Sequence, residues 1–504
     1  MNALVIAPLL LPLFAALVLL ALHRLDLGWR RAFAQLAVLA QIGVALALLQ
    51  AVGQGAILTH ALGNWSAPFG IVLVADRLAA WMLLLTSLLA IFPLWYASRG
   101  ADARGRHFHV LYQLQLFGLQ GAFLTGDVFN LFVFFEVLLL ASYGLILHGG
   151  GVERTRAGLH YVVVNLAGSA LFLIAVGVLY GLYGTLNMAD LARLMPATPA
   201  ENLGPARAAG LLLFGVFALK AALLPFYLWL PAAYASASAA VAALFAIMTK
   251  VGAYAILRAS TLIFGGEAGV MAGLIEPWLL PLALLTVLIG VSGALAARGL
   301  REQGAYLVIV SVGTLLTAFA LGSVEAIAAG LYYLPHSTFA AAALFLLAET
   351  VGRRRGALGD RFVPGPALAG EAWLGGVFFV AAILLAGMPP LSGFVGKFLI
   401  LRAALAAPDW PWVLALLLAG SLFSLIALAR AGSLFFLRPA APDSPPPPTT
   451  LPVGGGGLLP ALGLLALCVA MTVAAGPLQR ETIAIATQLL EPARYIDAVL
   501  GGRP

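Results

Sequence analysis

Apolar runs of about twenty residues follow one another along almost the whole chain, and charge is confined to short segments between them. A helix rises 1.5 Å per residue, so about twenty apolar residues match a hydrocarbon layer about 30 Å thick. Inside that layer every backbone N–H and C=O must find a partner in the protein, which leaves helices or closed barrels. Barrel strands alternate apolar and polar residues, whereas these runs are continuous, so the pattern selects helices. The quantity of apolar side chain agrees. Of 504 residues, 62% are hydrophobic and 9% charged, with a mean hydropathy of +1.04, against about 45–50% apolar and about 25% charged in soluble domains. A single soluble core stops growing at about 250–300 residues and could not absorb this much; a lipid bilayer can.

The fold class expected is therefore an all-α polytopic membrane protein of about fourteen transmembrane helices. The spans run near 2–22, 29–51, 74–97, 108–125, 128–148, 158–182, 207–229, 238–260, 271–297, 303–322, 324–350, 371–406, 411–437 and 457–476. The seventh carries Pro225 and runs on to Pro231. The twelfth is too long for one straight span and contains Pro389 and Pro390. Proline removes a helical donor and clashes with the preceding turn, so both spans are expected to be broken.

Arginine recurs in the loops after spans one, three, five, nine and eleven: Arg24, Arg30 and Arg31, then Arg99, Arg104 and Arg106, then Arg154 and Arg156, then Arg298 and Arg301, then Arg353, Arg354, Arg355 and Arg361. The alternate loops are poorer. By the positive-inside rule the rich loops are cytoplasmic and both termini non-cytoplasmic. The pI near 9.7 is thus a topology signal, not a mark of nucleic-acid binding. The first span has no basic residue before it, so it reads as a retained helix, not a cleaved signal. The lone cysteine, Cys468, excludes disulfides within the chain, iron–sulfur clusters and thiolate zinc sites. No phosphate-binding GxxxxGK[ST] loop occurs, and neither cofactor nor metal is expected. Pro439–Pro452 reads as a solvated linker. Residues 480–500 read as an amphipathic helix, either lying on the surface or touching a neighbouring protein of a complex.

The charges inside the spans carry the functional argument. Lys220, Lys250 and Lys397 are all the lysines there are. Arginine keeps its proton at any physiological pH, whereas a lysine in a low-dielectric site can release one. A helix that needs a fixed cation is served by Arg; one that needs a titratable cation wants Lys. Glu136 lies near the middle of span five, in NLFVFFEVLLL. A charge at that depth costs about 2.5–3.5 kcal/mol even on insertion scales. One bland explanation is a structural pair between Glu136 and a lysine. It leaves the other lysines unexplained, and also the siting of two of them beside helix breaks, where backbone at membrane depth lines water-filled cavities. His336, just after Pro335, suits a proton relay by its titration range, or is a satisfied core histidine. Glu349, beside Arg353, reads as a span-end salt bridge, and Asp127 as a helix N-cap.

The stretches GDVFNLFVFFEVLLLASYGLILHGG, LKAALLPFYLWLP…MTKVGAYAIL and GMPPLSGFVGKF resemble the proton-translocating antiporter-like subunits. That family includes the membrane-arm subunits of respiratory complex I and the large subunits of Mrp-type multisubunit Na+/H+ antiporters. The resemblance covers nearly the whole chain and is nearest to the D-type branch of the Mrp antiporters, on the wording around Glu136, the tail LLEPARYIDAVLGG and the lysine on span twelve. It implies two inverted five-helix repeats, spans 4–8 and 9–13, within segments 1–107, 108–260, 261–438 and 439–504. It implies Glu136 and Lys220 as an input pair, Lys250 as central relay, His336 as a switch beside it and Lys397 as exit. It also implies other membrane subunits as partners, H+ and Na+ as the ions moved, and a bacterial cell membrane as location. The competing reading is the non-redox membrane subunit of a redox-driven pump.

Overall fold

The computed structural model describes residues 2–365, 368, 372–437 and 455–501. The linker read at Pro439–Pro452 lies outside the described residues. Among them, eleven helices are long and apolar enough to cross a membrane, or twelve if one bent pair counts as a single span. The chain is a multi-pass, mostly helical membrane protein.

The first two helices, α1 (Asn2–Ala21) and α2 (Leu27–Val52), pack as a hairpin against α3 (Arg77–Ala97) and α4 (Phe108–Leu124). Buried glutamines tie them: Gln41 donates to Gln113 at 3.0 Å and Gln120 donates to Gln41 at 2.8 Å. Then come α5 (Val128–Leu147), which Asp127 caps by accepting from the Asn130 amide at 2.7 Å, α6 (Val152–Tyr183), the short α7 (Met188–Leu194) and α8 (Leu203–Ala221). Short helices α9 (Trp229–Ser236) and α10 (Ala239–Phe245) lead into α11 (Met248–Arg258). The second half holds α12 (Glu276–Ala296), α13 (Leu300–Ala320), α14 (Val324–Arg354), α15 (Ala372–Ala386), α16 (Ser392–Ala404) and α17 (Trp410–Gly432). The chain ends in α18 (Leu459–Val473), α19 (Ala475–Leu489) and α20 (Pro492–Leu500).

The bundle is graded from rim to centre. The apolar stretches of α10–α11 and of α14 are wholly enclosed by protein, whereas that of α2 is only 28% buried. The enclosed helices are built on alanine and glycine, as in Ala340–Ala343 of α14, and small side chains let backbones approach closely. The rim helices expose leucines, such as Leu10 on α1 and Leu36 on α2.

Two expectations need correction. The fold is not purely helical: β1 (Leu58–Ala61) pairs antiparallel with β2 (Val72–Ala75) ahead of α3. The four apolar residues of β2 run straight into the apolar start of α3, so the sequence reads them as helix. The last span, read at 457–476, ends at a sharp bend: α18 and α19 meet at 83°, beside Gly476 and Pro477. The amphipathic segment read at 480–500 is two helices, α19 and α20, split ahead of Pro492, and both fold back onto their own chain. Arg77 pairs with Glu481 at 3.0 Å, its amide donates to Gln488 at 3.0 Å, and Arg258 lies 5.2 Å from the Tyr495 ring.

Candidate functional site

Both interruptions lie beside a lysine. α8 stops at Ala221, one residue after Lys220, and Ala222 takes φ +59°. A left-handed alanine costs on the order of 1 kcal/mol or more, so its surroundings must hold it. They do: the Leu224 amide donates to the Thr286 hydroxyl on α12 at 3.0 Å, and the Trp229 indole donates to the Leu219 carbonyl at 3.1 Å. Pro225 falls in the segment between α8 and α9. In the second half α15 ends at Ala386, and Gly387 turns at φ +79°. A Cβ there would sit 2.6 Å from Lys397 Cδ, so the glycine makes room for the lysine. Pro389 and Pro390 lie between α15 and α16.

Each titratable group inside the spans, half-buried Glu136 included, reaches a neutral polar group. The Ser169 hydroxyl on α6 donates to the Glu136 carboxylate. One turn earlier on α6, Asn165 Oδ1 accepts from Lys220 Nζ at 3.3 Å. Glu136 and Lys220 make no direct ion pair; Ser169 and Asn165, themselves joined at 3.0 Å through the Asn165 carbonyl, stand between them. Lys250 Nζ donates to Ser311 on α13 at 3.0 Å. His336 on α14 has Nδ1 2.9 Å from the Ser392 hydroxyl on α16. Lys397 Nζ donates to the Ala386 carbonyl and to Ser421 on α17, both at 2.9 Å. The Ala386 carbonyl ends α15, where the helix dipole is negative and suits an ammonium. Among the described residues no carboxylate lies within ion-pair distance of any of the three lysines.

The helices that carry these groups pack in one continuous series: α5 on α6, α6 on α8, α8 on α11, α11 on α13, α13 on α14, α14 on α16 and α16 on α17. Glycine permits two of the closest crossings. A Cβ on Gly252 would lie 2.3 Å from the Ala221 amide and 2.7 Å from the Lys220 carbonyl carbon. One on Gly393 would lie 2.1 Å from the Leu384 carbonyl oxygen and 2.8 Å from His336 Nε2. His336 lies within electrostatic reach of both Lys250 and Lys397. The structure therefore brings Glu136, Lys220, Lys250, His336 and Lys397 into one lateral row across the bundle.

Residues 125–424, more than half of the chain and all five charges of the row, match the family described as NADH:quinone oxidoreductase/Mrp antiporter, TM. The chain belongs to that family. Members similar to it over their whole length include the D-type subunit of a probable K(+)/H(+) antiporter of Rhizobium meliloti, 42% identical over 99% of this chain and 98% of that one. The D-type subunit of a Na(+)/H(+) antiporter of Alkalihalophilus pseudofirmus is 39% identical over 99% of this chain and 100% of the relative. A chain in the solved Mrp complex of Dietzia sp. DQ12-45-1b superposes with a TM-score of 0.86 at 31% identity, covering 99% of both chains.

Within this family frame, the side chains missed by sequence reasoning are the neutral ones: Asn165, Ser169, Ser311, Ser392 and Ser421. The i, i+4 spacing of Asn165 and Ser169 on one helix face was a usable signal. The serines on α13, α16 and α17 carried none, because a hydroxyl in a membrane helix ordinarily bonds back to its own helix. Glu349 joins Arg353 at 2.8 Å and Arg301 at 3.2 Å at a span end, outside the row.

Proposed function

We propose that this chain is the proton-translocating D-type subunit of a multisubunit monovalent cation/proton antiporter, a secondary transporter and not an enzyme. The observation that carries this reading is the row itself: five titratable groups on consecutively packed helices, Lys220, Lys250, His336 and Lys397 buried and Glu136 half-buried, each facing a hydroxyl, amide or carbonyl instead of a fixed counter-charge. Glu136 and Lys220 would form the input pair, Lys250 the central relay, His336 a switch and Lys397 the exit, with Pro225 and Pro389–Pro390 marking the breaks that admit water. Two unit charges about 4 Å apart at an effective dielectric near 20 interact by about 4 kcal/mol. Closing or opening the gap now bridged by Ser169 and Asn165 is therefore enough to drive a proton on or off Lys220. Each hop changes the field on the next group, which couples them.

The finer architecture belongs to the same proposal. Adding α4 and the broken pair α15–α16 to the twelve spans gives fourteen, arranged as two inverted five-helix repeats (spans 4–8 and 9–13) after a segment 1–107 and before a segment 439–504. The arginine-rich loops would face the cytoplasm and both termini the other side of a bacterial cell membrane. Partners would be the other membrane subunits of the complex. The two relatives' names differ in cation, K+ in one and Na+ in the other, so the cation is set as monovalent, with Na+ as the first to test.

The test is cation-driven proton movement in everted membrane vesicles holding the full complex, with Na+ and K+ added separately. Glu136→Ala or Lys220→Ala should abolish exchange while the complex still assembles. Full exchange in both variants would overturn the proton route. Proton movement driven only by NADH or another reductant, and by neither cation, would favour a redox-driven complex instead.

A further inference from the structure

A second cluster of buried polar groups lies far from the row, at the end of the bundle where the arginine-rich loops gather. α1, α2 and the start of α4 enclose a cavity of about 170 Å³, room for several waters at about 30 Å³ each. Its apolar side is Leu19 and Leu27; its polar side is Arg30, His107 and His109.

Three observations there point to a ligand. The residue before α4, His107, makes no side-chain cap. The first amide of that turn with a helical acceptor is that of Leu111, bonded to the His107 carbonyl; those of Phe108, His109 and Val110, all lining the cavity, have none among the described residues. Free amides at a helix N-terminus form an anion site. Second, His109 is only 4% exposed, and its Nδ1 has no hydrogen-bond partner; with Nε2 on Asp102, Nδ1 donates to a ligand in the imidazolium and accepts in the neutral ring. Third, Arg30 Nε is buried and likewise unpartnered, although buried polar atoms are as a rule bonded.

The one acid in the cavity does not oppose an anion, because it is already used. Asp102 accepts two bonds from Arg31, at 2.7 and 2.8 Å, and one from His109 Nε2 at 2.9 Å. Burial alone would raise its carboxyl, but those bonds and the charge of Arg31 hold it well below the usual carboxylate range. Partly exposed Arg30 has no carboxylate within ion-pair distance among the described residues.

The surroundings say which kind of anion. Next to Arg30, Trp29 is 73% exposed, and Leu22 and Leu25 are exposed beside it on the hairpin between α1 and α2. An exposed tryptophan flanked by leucines marks the level of lipid headgroups. The cavity thus has an apolar wall of buried Leu19 and partly exposed Leu27, close in sequence to exposed Trp29, and a polar floor with donors from α4 and Arg30.

We propose that this cavity seats the phosphodiester of a membrane glycerophospholipid, its phosphate oxygens bonded by the first amides of α4 and by Arg30, and its acyl chains leaving the cavity past the partly exposed Leu27. No group beyond this chain is needed to form the seat.

The experiment is native mass spectrometry of the detergent-purified chain with whatever membrane subunits accompany it, after delipidation, titrated with phosphatidylglycerol. Diacylglycerol and inorganic phosphate serve as separate probes. Wild type should hold one phosphatidylglycerol per copy of this chain, and diacylglycerol should not substitute. Arg30→Gln should weaken retention about tenfold, the effect of removing one charge-assisted hydrogen bond. Leu27→Asp, a residue well tolerated at the first turn of a helix, should weaken it by repulsion even if Arg30→Gln fails to assemble. Arg480→Gln, exposed and distant, should change nothing. Equal retention by wild type and Leu27→Asp, equal binding of diacylglycerol, or occupancy by inorganic phosphate without lipid would each overturn the proposal.

Discussion

Lys250 and Arg258 are both buried, and both lie on α11, about 12 Å apart at 1.5 Å per residue. Their surroundings differ completely. Arg258 holds Asp76 at 2.7 Å and sits between the rings of Tyr254 and Tyr495, at 5.6 and 5.2 Å. Lys250 has the Ser311 hydroxyl at 3.0 Å and, among the described residues, no carboxylate within ion-pair distance. One end of the helix carries a fixed cation, neutralised and stacked, that pins the C-terminal helix α20. The other carries a cation on a neutral dipole. A guanidinium with a bidentate-capable acid is a fastening; an amine on a hydroxyl is free to gain and lose a proton. Other arginines likewise hold carboxylates, as Arg31 with Asp102 and Arg353 with Glu349, whereas all three lysines sit on hydroxyls, amides and carbonyls.

The largest expected effect separates the two classes by function. Lys397→Ala should cut exchange by about 10²-fold or more, the scale of losing a proton-transfer group, while the melting temperature of the complex holds or rises, since an unneutralised buried charge has gone. A vesicle assay and a thermal melt on one preparation check both. Arg258→Ala should do the reverse. Leaving Asp76 buried without its partner costs about 3–5 kcal/mol of stability, read by denaturation, with exchange per folded complex retained. A drop in exchange beyond the folded fraction would break the division.

Intermediate effects should come from the bridge on α6. Asn165→Leu with Ser169→Ala leaves Glu136 and Lys220 without their observed partners, a change of about 1–3 kcal/mol. Exchange should slow by about five- to a hundredfold, with cation selectivity unchanged. The smallest effect is confined to acid. Asp102 has a depressed carboxyl in the folded chain, so its pairing adds stability above the unfolded value of about 3.9 and loses it as pH falls through the folded value. The wild-type melting temperature should fall more steeply below about pH 4 than that of Asp102→Asn.

How much of this was legible before the structure depends on the residue type. The lysines could be singled out because the chain holds only three and places each in an apolar run. The spans were legible for the same reason, since hydrocarbon tolerates little else. The hairpin β1–β2 was not, because four apolar residues have no period that tells strand from helix. Nor was the depth of each helix in the bundle: α2 and α14 both pass as spans, yet one is only 28% buried within the chain and the other is wholly enclosed. Ser311 and Ser421 look like any hydroxyl in a helix until tertiary packing brings a lysine to them. The direct Glu136–Lys220 contact imagined from their charges is replaced by Ser169 and Asn165, which only the crossing of α5, α6 and α8 could reveal.

The central claim is that the middle of the molecule uses lysine because lysine can let go of a proton. Lys250→Arg tests it most directly, because it keeps the charge and removes the release. Proton movement driven by the cation should be measured in vesicles, per assembled complex, for wild type and this variant. Exchange should be lost in Lys250→Arg although the complex assembles. Exchange at the wild-type rate with arginine at this position would contradict it.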